Sequence, residues 1–189
     1  MSLTTAEAAV AVIAGTSLFS TSVEQISRSI DTWRNVTIEI TNYSNTFTLT
    51  NPRSYTYSGY CYHPPQPTIA KRTKEACSFS KTPHTACGSV GVLTYQILNN
   101  ETKHVAELAI MFSVPFDYNQ YENMFALGIY EPNISCDKNL YNKMYYHGGL
   151  FTRGKGTGGV ITYCGNGALV KGTMSAYGQS IIRAELWDK

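Results

Sequence analysis

The order of apolar and polar positions divides the chain into a helical leader and a long series of short strands. Val12, Phe19, Val23, Ile26, Ile30 and Trp33 are spaced by seven, four, three, four and three residues, which is one stripe of a helix. Ser, Thr, Gln, Glu and Arg fill the opposite positions. The stripe predicts an amphipathic helix over 5–30. At 1.5 Å per residue it would be about 39 Å long, enough to cross a bilayer. Residues 8–14 are apolar all round and end at Gly15, a possible hinge. After Trp33 the period falls to two. Val36, Ile38 and Ile40 alternate with polar residues, as in a half-buried strand. Similar runs lie at 46–51, 53–60, 89–98, 104–114, 125–130, 159–163, 168–174 and 180–187, with turn signals such as Asn99-Asn100 and Gly165-Asn166-Gly167 between them. Asp137 can cap a second helix over 139–147, which Gly148-Gly149 ends. The expected fold is therefore mainly β: a compact β-sandwich of about ten strands flanked by two α-helices. With no repeat and no low-complexity linker, residues 1–189 read as a single domain.

Composition narrows the function. The chain is 43% hydrophobic and 15% charged, a globular balance, and its net charge of +2 gives no ground for a nucleic-acid partner. Residues 1–33 carry −2, so the rest carries +4 and tolerates an anionic surface. No run reaches the roughly 18–20 apolar residues of a transmembrane helix. No Lys or Arg precedes the apolar start, so it is read as part of the mature chain and not as a signal peptide. Four glycosylation-type triplets begin at Asn35, Asn42, Asn100 and Asn133 and are read as chance. The five cysteines are too few and odd in number for a disulfide scaffold. Cys61, His63, Cys77, His84 and Cys87 offer zinc-type ligands, but no CxxC pair supports a site, so neither metal nor cofactor is expected. The four histidines are scattered, and no nucleophile elbow, HExxH or paired-carboxylate motif is present. The glycine-rich stretch 154–159 lacks the terminal GK[ST] of a phosphate loop. An enzyme is not expected.

Tyrosine is the outlier, with 14 copies. Tyr141, Met144 and Tyr145 share one face of the second helix, with Tyr146 beside them. The stretch Ser113-Val-Pro-Phe-Asp-Tyr-Asn-Gln-Tyr121 ends an apolar strand and puts Pro115, Phe116, Tyr118 and Tyr121 in a loop. Aromatics in a loop are costly unless buried or used. Together the two segments can form a cage whose ring faces attract a quaternary ammonium such as choline. They can equally fill a hydrophobic corner, and spacing alone leaves both readings open.

The same stretches carry a resemblance. Ser113-Val-Pro-Phe-Asp-Tyr-Asn119 is similar to the SVPYDYN loop of sea-anemone actinoporins, and Gly88-Ser-Val-Gly-Val-Leu-Thr-Tyr95 to their GAVGVLAY strand. Leu140-Tyr-Asn-Lys-Met-Tyr-Tyr146 resembles their MYEELYY helix, and Ala11-Val-Ile-Ala-Gly15 with Ser17-Leu18 their AVIDGASL start. The order agrees along nearly the whole chain. The resemblance implies an actinoporin-like sandwich, a monomer in solution, secreted or released. On a target cell membrane it implies a cytolytic homo-oligomer that inserts its first helix (Val12, Phe19, Val23, Ile26, Ile30) and forms an ion-conducting pore. It places a phosphocholine headgroup site, for lipids such as sphingomyelin, on Ser58, Val90, Ser113, Pro115, Tyr121, Tyr141, Tyr145 and Tyr146. It places membrane contacts on Phe116, Tyr118, Gln120, Met124 and Phe125.

The departures bear on specificity. Gln120 and Met124 stand where the family loop carries Trp, the stronger interfacial anchor. Arg153-Gly154-Lys155 stands for the family's Arg-Gly-Asp, Ala14 replaces an acid of its first helix, and the anemone toxins lack the cysteines found here. The alternative is a non-perforating, lectin-like binding module of the related fungal fruit-body lectin fold. Such a module has no need of the apolar leader 8–14.

Overall fold

The computed structural model describes residues 22–189, together with the backbone of Val12–Ile13 and Thr16–Ser17. Those two pairs form a small antiparallel ladder, β1 (Val12–Ile13) with β2 (Thr16–Ser17). The first helix, α1, spans Val23–Ser29. Its start has a local cause. The Ser22 side chain accepts a hydrogen bond from the Gln25 amide at 3.3 Å, and Gln25 Oε1 accepts one from the Ser22 amide at 2.9 Å. This reciprocal box holds Ser22 extended and begins the helix at the next residue. The uninterrupted helix expected over 5–30 is therefore not present in this form. Val12 lies in β1, and Phe19 falls outside the described residues. Val23, Ile26 and Ile30 do share a buried face, against β3 (Asn35–Asn42) and β14 (Gln179–Asp188). Trp33 leaves the stripe, because the helix stops at Ser29.

Twelve further strands build two six-stranded sheets. The first runs β11 (Phe151–Lys155), β10 (Met124–Tyr130), β9 (Lys103–Val114), β8 (Ser89–Asn99), β4 (Phe47–Ser58), β6 (Thr68–Ile69). The second runs β12 (Ile161–Gly165), β13 (Ala168–Met174), β14, β3, β7 (Lys74–Ser80), β5 (Tyr60–His63). The pairing is antiparallel except for β14 against β3. The runs expected at 46–51 and 53–60 are one strand, β4, with a register shift between Thr50 and Arg53 where Asn51 takes a positive φ of 48°. Four strands of the two sheets escaped the alternation pattern: β6, β7, β11 and, beyond its first residue, β5.

The core lies between the sheets. Phe79 and Phe112 meet there at 4.6 Å, among Ile38, Leu93, Ile110, Phe125 and Leu127. β9 is buried without a break from Ala106 to Val114. Its outer side is covered as well, by α2 (Lys138–Tyr146). Such a strand reads as a continuous apolar run instead of an alternating one.

Several chain ends converge at one end of the sandwich: the start of β3, the end of β4, the start of β8, the end of β9 and the start of β14. Gly59 carries the chain there from one sheet to the other, at a φ of +87°. A Cβ at that position would run into the Ser80 carbonyl, so only glycine fits. The loop 115–123 sits at this end.

Candidate functional site

α2 is held on the outer face of the first sheet at both termini. The Asp137 side chain accepts from the Leu140 amide at 3.0 Å. At the other terminus Arg153 of β11 donates to the carbonyls of Met144 (2.9 Å) and His147 (2.8 Å). A guanidinium there meets the negative end of the helix dipole. Leu140, Tyr141 and Met144 face Val90, Val92, Ala109, Met111 and Ala126. The tyrosines form a stair from buried to exposed. Tyr141 is buried and stacks on Tyr57 at 5.0 Å; Tyr145 follows at 5.7 Å; Tyr146 lies 4.7 Å beyond, edge-on and exposed. Burial pushes the Tyr141 phenol far up, reinforced by the Tyr145 and Tyr146 phenols. Burial and Tyr146 likewise raise Tyr145, and Ser113 partly offsets this. Both hydroxyls therefore stay neutral near pH 7.

The loop opposite is fixed by Arg34, which follows the exposed Trp33 and immediately precedes β3. Its Nε donates to the Pro115 carbonyl at 2.8 Å and its Nη2 to the Phe116 carbonyl at 2.9 Å. The guanidinium also lies over the Tyr118 ring, 4.4 Å from its centroid. The Tyr118 hydroxyl donates to Asn123 Oδ1 at 2.7 Å, and Asn123 Nδ2 donates to the carbonyls of Ser175 and Tyr177, both at 2.9 Å. Loop and helix meet across a concavity of about 400 Å³ lined by Tyr118, Gln120, Tyr121, Glu122, Met124 and Tyr145.

The expected headgroup positions mostly converge. Ser58, Val90 and Ser113 are cross-strand neighbours on β4, β8 and β9. The Ser58 hydroxyl donates to the Gly88 carbonyl at 3.1 Å. Pro115 is buried beside them, and Tyr121 is 56% exposed over the concavity that Tyr145 also lines. The rim carboxylate, Glu122, is paired with Lys155 at 2.7 Å. Ring faces and neutral hydroxyls thus dominate, a surface that can hold a quaternary ammonium without a counter-charge.

Among the expected membrane contacts, Phe116, Tyr118 and Gln120 are exposed and Met124 is half-buried. Phe125 is not a surface residue. It is 0% exposed and pairs with Phe112, because alternation along β10 turns it into the core while Met124 faces out. Among the described residues no cluster of His, Cys, Asp or Glu is arranged to hold a metal ion, and all five cysteines are free.

Sequence reading missed Arg34, Tyr57, Arg153 and Tyr177. Tyr57 alternates with Tyr55 on β4, a detectable signal. The others act through carbonyls or tertiary contacts, which leave no local pattern.

The model of the sea anemone cytotoxic protein family matches residues 7–187. DELTA-actitoxin-Ucs1a of Urticina crassicornis is 37% identical over 99 residues, 52% of this chain and 41% of that protein. Cytolysin tenebrosin-B of Actinia tenebrosa is 37% identical over 97 residues, 51% of this chain and 42% of that one. These alignments thus span less than half the length of the relatives. In structure, the lipid binding protein Nakanori superposes with a TM-score of 0.67 at 11% identity, over 88% of this chain and 77% of that one, a likeness of fold alone. With its two-sheet sandwich, two helices and a family match running almost end to end, the chain belongs to the sea anemone cytotoxic protein family.

Proposed function

We propose that this chain docks on membranes by holding phosphocholine headgroups in the tyrosine pocket between α2 and the 115–123 loop, assembles there and inserts its leading segment to form a pore. The observation that carries this is the meeting of Tyr121 with Tyr145 beside the Ser113–Val90–Ser58 row, over a concavity whose lining acid, Glu122, is paired with Lys155. The family and the cytolysin names of the relatives support the lytic outcome. Among the described residues no helix is long and apolar enough to cross a membrane. The inserting element would therefore have to be longer than the seven-residue α1, and the stripe that α1 shares with residues 5–22 supplies the length.

Dye release from vesicles with and without phosphocholine lipids tests the reading. Replacing both Tyr121 and Tyr145 by Ala removes two cation–π contacts of ~0.5–2 kcal/mol each, so vesicle affinity should fall roughly tenfold or more. Unchanged binding by the folded double variant would remove the pocket. For insertion, an engineered disulfide joining α1 to β14, on which it packs, should block leakage and spare binding, and reduction should restore leakage. Normal leakage from the oxidised form would remove the insertion step.

A further inference from the structure

Two of the most exposed large side chains lie outside that pocket. Trp33 is 83% exposed and Tyr177 76%. Trp33 precedes β3, Tyr177 precedes β14, and the first residues of those strands, Asn35 and Gln179, are register partners. The two rings border one open groove of about 700 Å³, with Glu24, Arg28, Arg34 and Gln179 among its lining. This groove lies at the same end of the sandwich as the 115–123 loop and is rigidly joined to it. Arg34 bonds the carbonyls of Trp33 and Phe116 with one guanidinium, and Asn123 bonds the Tyr177 carbonyl while accepting from Tyr118.

We propose that Trp33 and Tyr177, with Arg28 in the groove between them, form a second lipid-contacting patch that enters the bilayer interface together with the loop. The inference rests on the docking reading above and enlarges its footprint. Three observations favour a bilayer as the occupant. Trp and Tyr are the side chains that settle at the headgroup level, apolar body inward and polar tip toward water. The charge suits phosphate: Glu24 is neutralised by Arg183, while Arg28 is exposed in the last turn of α1. The patch is also continuous with the loop, which itself holds no Trp. An insertion plane through Phe116 and Tyr121 that excluded Trp33 would leave the most exposed large ring among the described residues in water.

The chain provides its own probe. It has two tryptophans, and Trp187 sits near the far end of β14, about 26 Å from Gln179 at strand spacing. In the Trp187→Phe protein, Trp33 is the sole tryptophan. Vesicles of phosphatidylcholine and sphingomyelin should shift its emission to the blue, and brominated phosphatidylcholine should quench it. The Trp33→Phe protein, reporting Trp187, should show neither. If Trp187→Phe does not fold, wild type minus Trp33→Phe gives the same difference signal. The double variant W33A/Y177A, altered only at exposed positions, should keep its melting temperature and lose about tenfold or more in vesicle affinity. Vesicle binding with Trp33 unquenched overturns this inference and leaves the docking reading standing. No vesicle binding by any form overturns both. A Trp33 emission already blue in the free protein and unmoved by vesicles assigns the groove to the chain's own leading residues or a second copy, and also overturns it.

Discussion

The two ends of the sandwich treat the same side chains in opposite ways. At the far end Trp187 stacks on Tyr43 at 4.4 Å, with Lys171 over the indole at 5.1 Å and Arg72 over the phenol at 5.8 Å. Each ring has a partner and each cation a face. At the end that carries the 115–123 loop, Trp33, Phe116, Tyr121 and Tyr177 are exposed, and Arg34, although it lies over Tyr118, gives its hydrogen bonds to backbone carbonyls. A fold that closes its aromatics at one end can do so at the other. Leaving them open, on a loop that is itself held stiffly, is what a surface meeting another phase requires.

Two phenylalanines four residues apart sharpen the contrast most. Phe112 is fully buried against Phe79, and Phe116 is 47% exposed. Phe112→Ala should cost about 3–5 kcal/mol in urea unfolding. Phe116→Ala should change stability by no more than about 0.5 kcal/mol and yet weaken vesicle binding. Equal losses of stability would erase the distinction between core and docking face.

Arg34 should give the next largest effect. Its three carbonyl contacts and its place over Tyr118 make it the brace of the loop. Arg34→Ala leaves those carbonyls to water and should cost about 1–3 kcal/mol. Its diagnostic sign is local: hydrogen exchange at the amides of 117–122 should quicken while β9 stays protected. Uniform acceleration across the sheet would make Arg34 an ordinary stabilising residue.

How much of this was legible in the sequence depends on which side of a strand carried the signal. β3 and β14 were plain, because Val36, Ile38 and Ile40 turn inward between polar neighbours, and Ile182, Ala184 and Leu186 turn inward on either side of Arg183 and Glu185. β7 was not, although it lies between β3 and β5, because its inward row is Glu75, Cys77 and Phe79 and only one of these is large and apolar. β11 carries Arg153 and Gly154 in an edge position and shows no apolar period. The gathering of Tyr141, Tyr145 and Tyr121 in one place was legible from spacing and resemblance. Phe125 was misplaced, because its neighbour Met124 faces out and a loop boundary shifted by one residue reverses every side chain after it. Trp33 was drawn into the helical stripe because three-residue spacing continues past Ser29, whereas the backbone does not. Arg34 has no pattern at all, since its partners are carbonyls some eighty residues away.

The inward glutamate that hid β7 yields an effect that only a change of pH reveals, and one that separates the ends again. Glu75 pairs with Ile40 and lies near Tyr95, and its Oε2 is buried without a hydrogen-bond partner. Its neighbour Lys74 reaches Glu39 instead, at 3.7 Å. Burial pushes the Glu75 carboxyl up from 4.5 to about 7. Between those values the folded chain holds a proton that the unfolded chain has released. The contribution is therefore fully present below about 4.5 and is lost as pH rises through about 7. Urea midpoints measured from pH 4.5 to 7.5 should fall across that window by an amount that Glu75→Gln removes, because the amide is neutral throughout. The proposed docking end has no such buried acid among the described residues, so vesicle affinity per folded molecule should be the same for Glu75→Gln and wild type across the window. A Glu75→Gln protein with the wild-type pH slope would show that another group carries it; one whose vesicle binding changes would show that the two ends are coupled.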